Sequence, residues 1–587
     1  MTAFDDLLPA LDARFQRLRE ESRTPGVAWG VVRDGALVHS GGAGTIRDGE
    51  DRLPDADAVF RIASMTKSFT ATALLMLRDE GRLGLDDPVA DHVPALAGWR
   101  PPTADSPPIS IRQLMTMSAG LATDDPWGDR QQGLPLDAFE RLLAAGPPFA
   151  WPPGTTFEYS NLGYGILGRV ITAASGVEYR EFVRDRILVP LRMASTAYRA
   201  EDVPQERLAL GYMRRDDELT REGDDPYGAL ASMGGVFSTV GDLARWVVGF
   251  LDAFPARNDP EGDHPLRRSS RREMQQVQRS MASVLLARPA HGQPTAVDLG
   301  YGFGLLVQSD TELGTVISHS GGYPGFGAHM AWHPATGLGA IGLGNLRYSP
   351  CRPVVDEQLR ALVLADATPR RRVLPGAAVR AFRPVVEGLL SRWDDAVADE
   401  AFAMNMDLDE PRPLRRAGVE RVADDLGPFG TDPARPDVSD SPAHVTWWLR
   451  GERGWVRLTL LVTPEPQPRV QRFEVTAVPD PSDALRAVAD RILEAAGTPS
   501  PAWPDGLTAG PDLDVAGIER SMRAAVARFG PLRRGLPRAS DGTTTATWDI
   551  DGDDGRAELK LTIDPESGAV TALVLSAAER EAAAEPW

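Results

Sequence analysis

FRIASMTKSFTATALLMLRDEG, residues 60–81, is the stretch from which the rest of the chain is read. From Ser64 onward, Phe69, Leu74, Met76 and Leu77 supply the buried faces of a helix running to about Glu80, and Gly81 is suited to end it. Ser64 and Lys67 stand three residues apart at the start of this helix. That spacing puts them on one face, where the amine reaches the hydroxyl. A serine hydroxyl is a poor nucleophile and needs an adjacent base. A desolvated lysine can lose its proton and serve as that base, whereas arginine cannot. The chain has only two lysines, Lys67 and Lys560, among its 63 basic residues, so positive charge is otherwise supplied by arginine. Chance would place about 0.1 S-x-x-K matches in such a composition. A lysine at this position indicates that a titratable amine is wanted.

Two further clusters belong with the first. Tyr159-Ser160-Asn161 follows Trp151-Pro152-Pro153-Gly154 in a loop leading into a helix that starts near Asn161. Its phenol can relay protons, and its amide can hold both Lys67 and a substrate carbonyl. His319-Ser320-Gly321, continued by Gly322, ends the strand-like run Thr315–Ser318, where glycines let a ligand approach the backbone. A G-x-S-x-G elbow, which an α/β-hydrolase would need, does not occur in the sequence.

Outward from these clusters, Gly26–Val32 and Ala36–His39 read as strands joined by an Asp34-Gly35 hairpin turn. Helices and Pro/Gly-rich loops fill the chain to about residue 250, and Asp242 stands where a capping box after Thr239 would need it. Residues 256–295 read as a polar, arginine-rich excursion with one surface helix. Strand-like runs return at Tyr301–Val307, Thr315–Ser318, Gly327–Trp332 and Leu338–Leu343. Strands at both ends with helices between predict an α+β fold, an antiparallel sheet built from both termini with a helical lobe inserted. The expected organisation is a catalytic domain over 1–366, a Pro-rich charged linker over 367–375, and two α+β modules over 376–480 and 481–587. The modules are inferred from an internal repeat. VTWWLRGERGWVRLTLLVTP (445–464) aligns without gaps on ATWDIDGDDGRAELKLTIDP (546–565), pairing Trp447 with Trp548 and Gly454 with Gly555. Trp447, Trp448, Trp455 and Trp548 read as buried anchors rather than ligand-stacking residues.

Composition narrows the partners. A net charge of −20 argues against nucleic acid and anionic membrane, which need concentrated positive charge. No run of about 18 apolar residues occurs, so no bilayer span is expected. The acidic, amphipathic first 22 residues lack the features of a secretory signal, and the single cysteine, Cys351, reads as a small buried hydrophobe. The expected location is therefore the cytoplasm. No ligand-spaced cluster in the modules calls for a metal.

S-x-x-K, then Y-x-N about 95 residues on, then H-x-G on a late strand together resemble the penicillin-recognising serine hydrolases. The similarity is to the class C β-lactamase-related branch that includes esterases, D-aminopeptidases and peptide-cyclising thioesterases. It covers about residues 5–365 and includes Ile109–Leu121 and Gly234–Trp246. The resemblance implies a β-lactamase-like sheet flanked by helices, an acyl-enzyme on Ser64, and a general-base task shared by Lys67 and Tyr159. It further implies that Asn161 positions substrate, that Ser320 and Gly321 line the site, that the N–H groups of Ser64 and Gly322 form an oxyanion hole, and that no cofactor is used. His319 stands where true class C β-lactamases carry the lysine of K-T-G, which weighs against efficient β-lactam hydrolysis. The expected substrate is a small ester, amide or peptide of the esterase or D-amino-acid amidase type. The alternatives are a β-lactamase, an acyl-transferring peptide cyclase, or a non-catalytic sensor that keeps the fold.

Overall fold

The computed structural model describes residues 3–223, 225–257, 259–286, 295–310, 313–365, 374–431, 435, 437–439, 441–498, 502–552 and 555–577. Most of the stretch read as a linker, 367–373, lies outside the described residues. The chain forms two compact units, the first made of Met1–Leu286 and Thr295–Thr368 and the second carrying Pro369–Trp587.

Within the first unit, the Asp34-Gly35 dipeptide turns the chain as read: both residues have positive φ (50° and 79°), which joins Gly26–Arg33 to Ala36–Gly44 as a tight hairpin. That hairpin is one edge of an eight-stranded antiparallel sheet. Its spatial order is 36–44, 26–33, 338–344, 326–333, 314–323, 306–310, 295–301 and 279–286, so the N-terminal strand lies beside the last one. Alternation along the strand Gly26–Arg33 serves two layers. Val27, Trp29 and Val31 face a core shared with helices Ala3–Ser22 and Cys351–Ala365. Ala28 and Val32 face the larger core of the inserted lobe, whose helices include Thr66–Asp79, Asn161–Ser175 and Val240–Leu251. Cys351 is buried in the first of these layers, as read. Thr239 caps Val240–Leu251 by accepting from the Asp242 N–H at 3.0 Å. The Asp242 carboxylate, instead of closing a capping box, accepts from the Ser195 N–H and the Thr196 hydroxyl.

The stretch 256–295 departs from its reading. Helix Arg268–Met274 is not a surface helix: Arg268, Ser270, Arg271 and Met274 are all buried. Asp252 and Asp259 hold the two arginines inside, with Arg271–Asp252 at 3.2 Å and Arg268–Asp259 at 3.1 Å. Charge in the sequence thus concealed interior positions. The runs 279–286 and 295–301 add two strands to the sheet, and the single strand expected at Tyr301–Val307 divides into Thr295–Tyr301 and Leu306–Asp310.

The second unit contains the two repeated modules. One has a four-stranded antiparallel sheet of 430–431, 444–451, 454–462 and 470–479, with helices Ala377–Ser391 and Arg412–Leu426 in its core. The other has strands 533–540, 545–552, 555–563 and 570–577, with helices Asp483–Ala496 and Val515–Phe529. The repeat extends to backbone irregularities. The register shift at Leu461/Val462 recurs at Thr562/Ile563, and the glycine pair 451/454 closing one hairpin recurs as 552/555. Trp447 and Trp548 are fully buried and Trp455 nearly so. Trp448 is half-buried beneath the Arg435 guanidinium, 4.1 Å from its ring centre, so these indoles are structural anchors.

Candidate active site

The chain enters the site along a short strand, Phe60–Arg61, paired with Phe237–Ser238. The Ile62 N–H donates to the Val236 carbonyl at 2.9 Å, after which Ala63 takes a left-handed conformation (φ 48°) that a non-glycine residue adopts at a cost. Two bonds hold this turn: the Thr66 hydroxyl donates to the Ala63 carbonyl at 2.6 Å and accepts from the Val236 N–H at 3.1 Å. The strained turn places Ser64 at the head of helix Thr66–Asp79, 9% exposed and therefore just reachable from outside.

Lys67 lies one helical turn on and is completely buried. Its Nζ is 3.0 Å from Ser64 Oγ, 2.7 Å from Asn161 Oδ1 and 2.9 Å from the Met233 carbonyl oxygen. Two of these partners can only accept. When the amine is neutral its two N–H bonds stay on those carbonyls, and its lone pair is left for the Ser64 hydroxyl. Burial lowers the Lys67 pKa from 10.5 to about 8, against the opposing pull of Asp125, Asp129 and Asp124. The rings of Tyr159 and Tyr164 face the same nitrogen, with centres 4.8 and 5.5 Å away. Tyr159 is hydrogen-bonded with Ser64, and burial followed by the charge of Asp125 pushes its phenol well above its usual range.

Three carboxylates missed in the sequence organise this group. Asp124 accepts from the N–H groups of Asn161 at 2.6 Å and Leu162 at 2.7 Å, and with Ser160 it caps the helix that carries Asn161. Asp125 Oδ1 accepts from Asn161 Nδ2 at 2.7 Å, which turns the amide oxygen toward Lys67. Asp129 accepts from the Tyr348 hydroxyl at 2.8 Å, and its burial raises its pKa to about 6. All three come from one turn, Asp124-Asp125-Pro126-Trp127-Gly128-Asp129. In the sequence this turn reads as a charged loop, and nothing local connects it to a helix some 37 residues later.

His319, which the resemblance expects to bias Tyr159 electrostatically, lies close by. Its Nδ1 is 2.6 Å from the Ser320 carbonyl, which can only accept, so Nδ1 carries the proton. Burial, then the charge of Lys67, lowers its pKa to about 3 and keeps it neutral. The bare Nε2 accepts from the Tyr301 hydroxyl at 3.1 Å. The imidazole is thus bonded to Tyr301 and not to Tyr159. Ser320 is not brought to the site. Its hydroxyl is 2.8 Å from His329 Nδ1, whose Nε2 is 3.0 Å from Asp356 on helix Cys351–Ala365, on the other face of the sheet. Gly321 is brought close: a Cβ on it would lie 2.0 Å from the Ile62 carbonyl oxygen, so the strand runs directly against the turn before Ser64. Gly321→Ala is expected to push strand and turn apart, costing about 1–3 kcal/mol and at least tenfold in turnover; thermal unfolding and ester hydrolysis measure the two. Gly322 sits one residue on, against the ring of Tyr348.

An antiparallel sheet built from both ends of the chain, with a buried serine–lysine–tyrosine group where a helical lobe meets it, defines the penicillin-recognising serine hydrolase class. Residues 11–365 match the Beta-lactamase family model, and the chain belongs to that family. Two curated relatives are similar to it. The D-alanyl-D-alanine-carboxypeptidase/endopeptidase AmpH of Escherichia coli K12 is 29% identical over 324 residues, covering 53% of this chain and 77% of the relative. Penicillin-binding protein 4 of Amycolatopsis lactamdurans is 31% identical over 268 residues, covering 45% and 68%. Among solved structures, the octameric penicillin-binding protein homologue from Pyrococcus abyssi aligns over 95% of this chain and 96% of its own, with a TM-score of 0.50 and 18% identity, a likeness of fold. Among the described residues no helix is long and apolar enough to cross a membrane.

Proposed function

We propose that the protein hydrolyses small esters or amides through an acyl-enzyme on Ser64. The observation that carries this is the Lys67 amine, sealed from solvent, lowered to about 8 and within 3.0 Å of the Ser64 hydroxyl, with its other bonds on two carbonyl oxygens. Ser64 Oγ attacks the carbonyl carbon as Lys67 takes its proton. Tyr159, held as a protonated phenol, passes a proton to the leaving group and is reprotonated through Lys67. The backbone N–H groups of Ser64 and Gly322 stabilise the oxyanion, and water then releases the acyl group. The raised phenol and lowered amine divide the work between them: lysine as base, tyrosine as acid.

Peptide-bond cleavage is the second reading, favoured by the likeness to a relative named as a D-alanyl-D-alanine carboxypeptidase and endopeptidase. Against efficient β-lactam hydrolysis stands the neutral His319, which supplies no positive charge for the antibiotic's carboxylate. A panel of p-nitrophenyl acetate, amino-acid p-nitroanilides, a peptide thioester and a chromogenic cephalosporin tests these readings. The acetate ester is expected to turn over readily and the cephalosporin slowly, with His319→Lys narrowing the gap. A wild-type kcat/KM on cephalosporin near 10⁶ M⁻¹s⁻¹, about mid-range for an enzyme on its own substrate, would overturn the reading of His319.

A further inference from the structure

We propose that Asp125 selects the substrate: one of its oxygens fixes Asn161, and the other meets an ammonium group on the acyl side of the scissile carbonyl. This inference rests on the hydrolase reading above and names its substrate class, an α-amino acyl ester or amide.

The three carboxylates beside the site are not equivalent. Asp124 is used on two backbone N–H groups of a helix terminus, and Asp129 is buried beneath the Tyr348 hydroxyl. Asp125 alone of the three is exposed. Its Oδ1 accepts from Asn161 Nδ2, and its Oδ2 has no hydrogen-bond partner among the described residues. Asn161 is the amide expected to hold substrate; its oxygen is committed to Lys67, and one of the two N–H bonds of Nδ2 goes to Asp125. The exposed polar group beside that amide is the Asp125 carboxylate, an anion. Asp125 is bonded to Asn161 at 2.7 Å and Asn161 to Lys67 at 2.7 Å, so its charge stands one side chain from the Lys67 amine; of the carboxylates around Lys67 and Tyr159 it acts most strongly on both. His319 points the same way, since a neutral imidazole committed to Tyr301 and the Ser320 carbonyl offers nothing to a substrate carboxylate. A substrate ammonium one carbon from the scissile carbonyl gains a charge-assisted hydrogen bond here, while a carboxylate there is repelled.

The test compares two anilides of equal shape on the full-length chain at pH 7: alanine p-nitroanilide, in both enantiomers, and isobutyryl p-nitroanilide, which has a methyl in place of the ammonium. Wild type is expected to favour one alanine enantiomer in kcat/KM by about tenfold or more, chiefly through KM. Asp125→Asn keeps an oxygen for Asn161 but removes the charge, and is expected to bring the ratio near one; Asp125→Glu should restore part of it. The pH profile is a second readout. Lys67 is faced by Ser64, Asn161, the Met233 carbonyl, the rings of Tyr159 and Tyr164, the carboxylates of Asp124, Asp125 and Asp129, and His319. Removing one negative charge from that set should move the limb set by Lys67 to lower pH. Equal wild-type rates on the two anilides, or a ratio unchanged in Asp125→Asn, overturns the proposal. Turnover of p-nitrophenyl acetate with neither anilide cleaved overturns the substrate class and leaves the hydrolase standing. No turnover of any of the three, together with no labelling of Ser64 by a fluorophosphonate, overturns the hydrolase reading itself.

Discussion

Ser64→Ala is expected to lose fluorophosphonate labelling and to lower ester turnover by about 10⁴ or more, the scale seen when a hydrolase loses its nucleophile. Among the described residues, Ser320 carries a rival hydroxyl. Ser320 Oγ is bonded to His329 Nδ1, and His329 Nε2 to Asp356, a serine–histidine–aspartate chain of the kind that activates nucleophiles elsewhere. Its imidazole is completely buried, and the chain lies across the sheet from Lys67. Ser320→Ala should therefore retain labelling and Ser64→Ala should not. Mass spectrometry of the labelled peptide decides between them, and modification at Ser320 in the Ser64→Ala variant would move the nucleophile to the opposite face.

Lys67→Arg is expected to reduce kcat/KM on the same ester by about 10² or more. The substitution keeps a positive charge but exchanges an amine that loses its proton near pH 8 for a guanidinium that does not. It also cannot reproduce three bonds from one tetrahedral nitrogen to Ser64, Asn161 and Met233. The sign with pH follows from the direction of the shift. Below about 8 Lys67 is mostly ammonium and cannot accept the serine proton, so the wild-type rate should climb as pH rises through that value. The arginine variant should lack this limb. Lys560→Arg, on a strand of the last module, is the control, and its rate should match wild type. A near-normal rate in Lys67→Arg would mean that the lysine acts only as a charge.

The parts of the site that were legible in the sequence are those whose geometry is local. Ser64 and Lys67 meet because three residues make nearly one helical turn, and the hairpin at Asp34-Gly35 forms because its turn tolerates only such residues. The tandem modules were visible because a repeated sequence meets the same packing problem twice, down to a register shift at the same position. Ser320 was misplaced for an equally local reason. Motif reading takes H-x-G as a unit, but in a strand neighbouring side chains point to opposite faces, so His319 and Ser320 part company. The buried arginines of 256–295 misled because charge reads as surface until partners such as Asp252 come into view.

Residue types and their spacing were enough to single out the serine, lysine and tyrosine that the structure brings together, the antiparallel frame drawn from both ends of the chain, and the repeat behind it. Folding decided the rest. It turned His319 onto Tyr301, sealed Lys67 so that desolvation lowered its pKa, and carried Asp124, Asp125 and Asp129 to the N-terminus of the Asn161 helix. None of these has a sequence signal, because a pKa depends on the whole surroundings of a group and a hydrogen bond depends on which distant segment arrives beside it. A carboxylate in a loop reads the same in the sequence whether it faces bulk water or an amide bonded to a buried amine.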